Sequence, residues 1–159
     1  MHLVIHVPTQ TMLVYENNRE LRRYLISTAV RGLGEQVNSE KTPRGWHQIR
    51  AKIGANCPEN TVFIERRPTG EIYTPLLRQS QPGRDWILTR ILWLSGLELG
   101  KNRMGEVDTM RRYIYIHGSP EDATMGAPGS RGCIRMRNAD IIGLFDMVCP
   151  GDRVFIDVG

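Results

Sequence analysis

The sequence predicts a mainly β fold with one or two packed helices. Short apolar–polar alternations recur along the first half of the chain. Turn-forming residues interrupt them at short intervals, and only two segments carry apolar residues at helical spacing. At 159 residues the chain suits a single domain over 1–159, built around one core.

The elements follow in order. Leu3, Ile5 and Val7 alternate with Val4 and His6 in a first strand. Residues 11–28 read as a hairpin, with Glu16-Asn17-Asn18-Arg19 as the polar turn. Trp46–Ile53 and Thr61–Glu65 read as two further strands. Asp85–Leu97 places Ile87, Leu88, Ile91, Leu92 and Leu94 at helical spacing, with Gly96 near its end, and is predicted as a helix. On it Trp86 and Trp93 read as core residues, and the 85–105 insertion could cover a site. Arg111–His117 alternates tyrosine and isoleucine as a strand. One face of Tyr113 and Tyr115 then meets the core and the other a cleft. Asn138 is predicted to cap a second helix whose buried face is Ile141, Ile142, Leu144, Phe145 and Val148, ended by Pro150. Arg153–Val158 closes the chain as a strand. Glycine-rich loops fall at 32–34, 96–105 and 126–132.

The net charge is +4, and the positive charges are scattered. No basic stripe with interleaved aromatics is present, so nucleic acid is not expected as a partner. An anionic small substrate fits the charge. The most apolar stretch, Trp86–Leu94, is too short to span a bilayer and contains Arg90, so no membrane partner is expected. The opening Met1-His2-Leu3-Val4-Ile5-His6-Val7-Pro8 lacks the features of a secretory leader, which sets a cytoplasmic location as the expectation, or a periplasmic one if a leader was removed. Cys57, Cys133 and Cys149 are odd in number and widely spaced. They suggest neither a disulfide framework nor a zinc site. No metal and no cofactor is expected. His2, His6 and His47 lack ligand spacing, and Gly32-Leu33-Gly34 lacks the third glycine of a dinucleotide loop. The oligomeric state is not set by the sequence.

The chemistry concentrates in Ser130-Arg131-Gly132-Cys133-Ile134-Arg135-Met136, with His117-Gly118 upstream. A cysteine attacks as its thiolate, so its site must supply a base or positive charge. His117 can accept the thiol proton, and Arg131 and Arg135 can stabilise negative charge. Gly132 leaves room for backbone N–H groups to approach an oxyanion. Cys57 and Cys149 read as structural thiols. Ser119 either bonds near His117 or is a turn serine. Arg84, Arg90, Arg103, Arg111 and Arg112 are candidates for an acidic substrate or for solvated surface.

Tyr115-Ile116-His117-Gly118, the loop that follows, Ser130-x-Gly132-Cys133-Ile134-Arg135-Met136 and Asn138-x-Asp140 together resemble the signature of the L,D-transpeptidase catalytic domain, also called the YkuD domain. Gln10–Asn17, Ser27-Thr28-Ala29 and Lys41-Thr42-Pro43-Arg44-Gly45 resemble its other motifs, so the likeness covers almost the whole chain. It implies a β-sandwich or barrel of mixed strands and a Cys-His acyl transfer. The thiol would attack the L-centre carbonyl of meso-diaminopimelate in a peptidoglycan tetrapeptide, and D-Ala would leave. An amine acceptor then gives transfer, and water gives L,D-carboxypeptidase activity. By position Cys133 matches the nucleophile and His117 the base. Gly118 is implied to orient the imidazole through its carbonyl, Arg135 matches a basic position, and Ser130 and Tyr115 fall beside the substrate.

The chain departs from the family at Arg131, where histidine is usual. Arginine stays protonated and cannot be a base. Its rigid fork binds carboxylates in bidentate fashion. Arg131 therefore either grips the free D-Ala carboxylate or supports the thiolate or its loop. With the expected cytoplasmic location, this favours a carboxypeptidase that trims soluble tetrapeptides and muropeptides in peptidoglycan recycling. The alternatives are a transpeptidase that cross-links strands or exchanges D-amino acids, and a non-catalytic peptidoglycan-binding module.

Overall fold

A computed structural model describes residues 1–159. Its strands are β1 (His2–His6), β2 (Thr11–Glu16), β3 (Arg19–Leu25), β4 (Gly45–Ile53), β5 (Thr61–Ile64), β6 (Arg67–Ile72), β7 (Ile87–Gly96), β8 (Tyr115–Ser119), β9 (Ile134–Arg137) and β10 (Arg153–Asp157). The helices are α1 (Pro75–Ser80) and α2 (Asn138–Met147). All ten strands join one curled sheet in the order β3-β2-β1-β10-β4-β7-β5-β6, and β8 bridges β7 to β9. Only β1–β10 and β8–β9 are parallel.

Alternation sets which faces are buried. Leu3 and Ile5 of β1, Met12 and Val14 of β2, and Val154 and Ile156 of β10 are fully buried in the main core. The β2–β3 hairpin turns through Asn17 and Asn18, both at positive φ (50° and 63°). That is the primed turn that suits strand twist, and asparagine tolerates it. Helix α2 covers the core with Ile141, Leu144 and Phe145. The Lys52 ammonium donates to the Val148 carbonyl at 2.8 Å, beside the negative end of the helix dipole.

Several expectations need correction. Residues 85–97 form no helix: Ile87–Gly96 is the central strand β7. It pairs with β4, β5 and β8, and seven of its ten residues are buried, so apolar residues appear on both faces. A bulge between Leu88 and Ile91 also breaks the two-residue alternation, and Thr89 sits there at φ 75°. The resulting pattern mimics helical spacing. Trp86 lies just before β7 in a small cluster with Val62, Tyr73 and Leu88, and Trp93 lies in β7. The segment therefore belongs to the sheet and is no cover for a site. Strand β8 starts only at Tyr115, because residues 109–113 form turns with Tyr113 at φ 56°. Asn138 is the first helical residue and not the cap, which is Arg137. Its buried side chain accepts from Thr89 Oγ1 at 2.7 Å and donates to Asn60 Oδ1 at 2.8 Å. Ile142 is only partly buried. Cys57 packs at the edge of a small cluster, but Cys149 is exposed and has no packing role. No helix is long and apolar enough to cross a membrane.

Candidate active site

The parallel register of β8 and β9 assembles the site. His117 pairs with Arg135 and Ile116 with Ile134, so paired side chains share a face. Ile116, Ile134 and Met136 point into the main core. Tyr115 and His117 line a cavity of ≈ 490 Å³ on the other face, together with Cys133 and Arg135.

The loop carrying Cys133 is held by the motifs at 27–29 and 41–45. Ser27 exchanges backbone hydrogen bonds with Arg135, at 3.0 and 2.8 Å, and the Ser130 N–H donates to the Thr28 carbonyl at 2.9 Å. The buried Thr42 hydroxyl donates to the Gly132 carbonyl at 2.9 Å and accepts from the Ala29 N–H at 3.0 Å. Gly132 sits at φ 132°, and a Cβ there would press on Ile114 at 3.3 Å and on the Lys41 carbonyl at 3.4 Å. Glycine meets both demands.

Ser130 lines the cavity, but its hydroxyl donates to the Cys133 carbonyl at 2.5 Å and accepts from the Gly132 N–H at 3.2 Å. It shapes the loop rather than facing a substrate. The Gly132 N–H is thereby engaged, whereas the Cys133 N–H meets no protein acceptor.

His117 is 1% exposed, and its Nδ1 lies 2.6 Å from the Gly118 carbonyl. A carbonyl only accepts, so Nδ1 carries the proton and Nε2 is left as the basic nitrogen. Burial holds the imidazole below its ordinary value, against the pull of Asp85. Gly118 also has no room for a side chain, since a Cβ would sit 2.7 Å from the Leu88 carbonyl and against Asn138 Oδ1. Ser119 is buried, but its hydroxyl donates to the Met136 carbonyl at 2.8 Å and does not orient His117.

The Cys133 sulfur accepts from the Tyr115 N–H at 3.3 Å and donates to the Tyr113 carbonyl at 3.4 Å. Burial pushes its thiol up to about 12, outweighing the Tyr115 N–H and the nearby Arg135 and Arg112. The cavity thus holds a neutral thiol and a neutral imidazole at rest. Attack by such a thiol would need its proton to be taken up as the bond forms, which is general-base catalysis.

A second cavity of ≈ 610 Å³ adjoins the first, and Asp85, Arg131 and Arg135 line both. Arg135 pairs with Asp85 at 3.2 Å. Arg131 is exposed and donates only to the Gly83 carbonyl, at 3.3 Å. Arg112 lines the cysteine's cavity and donates to backbone oxygens of Gly34 and Lys41, so it also braces the cradle. The remaining candidate arginines do not line the cysteine's cavity, although Arg84 lines the adjoining one. Arg84 pairs with Glu71, Arg90 donates to the Cys57 and Thr89 carbonyls, Arg103 lines a separate cavity and Arg111 is exposed. Asp85 and Arg66, which both line the cysteine's cavity, escaped notice as site residues in the sequence because neither adjoins a motif. No cluster of three potential metal ligands exists.

The half-buried Cys133, in the loop entering β9, and the buried His117 of β8 line one cavity of a curled mixed sheet, an arrangement of thiol and imidazole that could serve acyl transfer. The chain belongs to the L,D-transpeptidase catalytic domain (YkuD) family, whose model matches residues 1–156. It is 37% identical over 95 residues to YkuD of Bacillus subtilis (strain 168), covering 60% of this chain and 48% of that protein. It is 31% identical over 170 aligned positions to YbiS of Escherichia coli (strain K12), covering 97% of this chain and 50% of that one. The chain thus spans about half the length of these relatives. A solved L,D-transpeptidase from Mycobacterium smegmatis shares the fold, with a TM-score of 0.61 at 19% identity, covering 98% of this chain and 58% of that one.

Proposed function

We propose that this protein is a cysteine-dependent L,D-carboxypeptidase that removes the terminal D-Ala from peptidoglycan tetrapeptides. The observation that carries this reading is Arg131, a guanidinium with no carboxylate partner, two residues from the nucleophile and on the wall between two cavities. Only three bonds separate the scissile carbonyl from the D-Ala carboxylate, so a cation this near Cys133 suits the leaving group's charge. Family membership supports the peptide substrate and the acyl-enzyme route.

Cys133 Sγ attacks the L-centre carbonyl of diaminopimelate while His117 Nε2 takes the thiol proton. The oxyanion meets the Cys133 N–H. The C–N bond then breaks, and the D-Ala amine receives the proton from His117. Water adds to the thioester with His117 again as base, releasing the tripeptide carboxylate and the thiol. We propose the cytoplasm as the compartment and soluble muropeptides as the substrates. Three free cysteines, one of them exposed, suit a reducing environment.

Incubation with a disaccharide-tetrapeptide, followed by mass spectrometry, tests the reading. Loss of D-Ala is expected, and Cys133→Ala should abolish it. Dimers or D-amino-acid exchange in place of hydrolysis would make the protein a transpeptidase, and binding without reaction would make it a recognition module. Arg131→His should raise KM for tetrapeptide. An unchanged KM and product ratio would remove the carboxylate role.

A further inference from the structure

The cysteine's cavity holds another guanidinium, Arg66, on the side of Tyr113 and Tyr115. It occupies the tight turn between β5 and β6, where Glu65 and Arg66 both have positive φ (50° and 64°). Neither is glycine or asparagine, so the turn is strained in a way that the surrounding structure must sustain. The strain coincides with a fixed side chain. The guanidinium lies over the rings of Tyr113 and Trp93, at 4.6 and 4.9 Å from their centroids. It donates to the Tyr115 hydroxyl at 2.9 Å. Stacking and one hydrogen bond hold the fork still, and most of its N–H donors are left for a ligand. Arg135, in the same cavity, already has Asp85. No carboxylate pairs with Arg66.

Tyr115 links this guanidinium to the nucleophile. Its hydroxyl accepts from Arg66, and its backbone N–H donates to Cys133 Sγ. A tyrosine spans roughly 7 Å between those two atoms. Diaminopimelate carries a second carboxylate six bonds beyond its L-centre carbonyl, also roughly 7 Å away when extended. This carboxylate stays on the acyl side of the scissile bond, whereas the D-Ala carboxylate departs.

We propose that Arg66 is a specificity-determining residue that binds the side-chain-terminal carboxylate of the acyl donor, held ready by Tyr113, Trp93 and Tyr115. The inference rests on the reading that the site takes stem peptides. It adds that the site selects a free acid at the diaminopimelate D-centre over its amide, and over lysine.

The test separates binding from turnover. Calorimetry on the Cys133→Ala protein would use three tetrapeptides, carrying diaminopimelate, its side-chain amide, or lysine. A bidentate charged contact should favour the free acid by about tenfold or more. Arg66→Gln in the same background should bring the ratio to within about threefold of unity, and Arg66→Lys should retain part of it. Equal affinities in the Cys133→Ala protein would overturn the proposal, as would a preference that survives Arg66→Gln. D-Ala release by the protein with Cys133 intact reports separately on the hydrolytic reading. If no D-Ala is released but the preference depends on Arg66, hydrolysis falls and the subsite stands. If acid and amide are hydrolysed with equal kcat/KM, the subsite falls and hydrolysis stands.

Discussion

The neutral resting state of the Cys133–His117 pair can be tested by alkylation. A thiol raised from 9.0 to about 12 holds about a thousandfold less thiolate at a given pH, equivalent to about 4 kcal/mol. The rarer thiolate is also more nucleophilic. With a Brønsted slope of about 0.4–0.5, that returns roughly 20- to 30-fold. Cys133 in the folded protein should therefore react with iodoacetamide at least about thirtyfold more slowly at pH 8 than in the urea-unfolded chain. Its rate should keep rising with pH up to about pH 10 without a plateau. Peptide mass spectrometry reads the site directly, and the exposed Cys149 serves as an internal marker of reagent. Because the imidazole is neutral, His117→Ala should leave the alkylation rate little changed while abolishing turnover. A plateau with a midpoint between pH 5 and 8, lost in His117→Ala, would show a thiolate–imidazolium pair and refute the reasoning. The same argument places the acid limb of kcat/KM below 6.5, because His117 is depressed and must be neutral to act as base.

Three further outcomes are expected. Gly118→Ala forces a Cβ to 2.7 Å from the Leu88 carbonyl, so thermal unfolding should show a loss of about 1–3 kcal/mol, with activity lost as His117 shifts. Thr42→Val keeps the shape but leaves the Gly132 carbonyl and the Ala29 N–H unpaired. That should cost about 2–4 kcal/mol by urea unfolding, and an unchanged midpoint would show that water replaces the hydroxyl. His47 is buried between the Gly45 carbonyl and Thr109 Oγ1, and burial lowers it from 6.5 to about 4. The fold favours its neutral form. Its contribution, about 3 kcal/mol, is therefore full above pH 6.5 and lost as pH falls from 6.5 toward 4. His47→Gln should flatten that part of the stability profile, measured by denaturant midpoints from pH 7 to 4.

The residues proposed to react were legible because their chemistry is local in sequence. Cys133 with its glycine, and His117 with Gly118, each sit in a short motif, and strand pairing then brings the motifs together. The cradle was half legible. The motifs at 27–29 and 41–45 could be seen, but only the fold reveals that Thr42 bonds Gly132 across 90 residues. Strand β7 was misread because burial on both faces and a bulge erase the period that distinguishes strand from helix. Asn138 resembled a helix cap because asparagine favours that position, whereas its side chain serves the buried Thr89 bulge. Arg66 carried no signal, since nothing in the sequence shows that a glycine-free turn will be left-handed.

The parallel pairing of β1 with β10 has a mechanical consequence. The two strands run side by side, from His2 beside Arg153 to His6 beside Asp157. A force that draws residue 2 backward and residue 157 forward slides one strand along the other. It strains the whole ladder of backbone bonds at once instead of opening them singly. These strands lie in mid-sheet, between β2 and β4, so the ladder cannot yield by peeling from an edge. Tension between these two ends thus loads the ladder in shear, and both strands carry main-core residues on it.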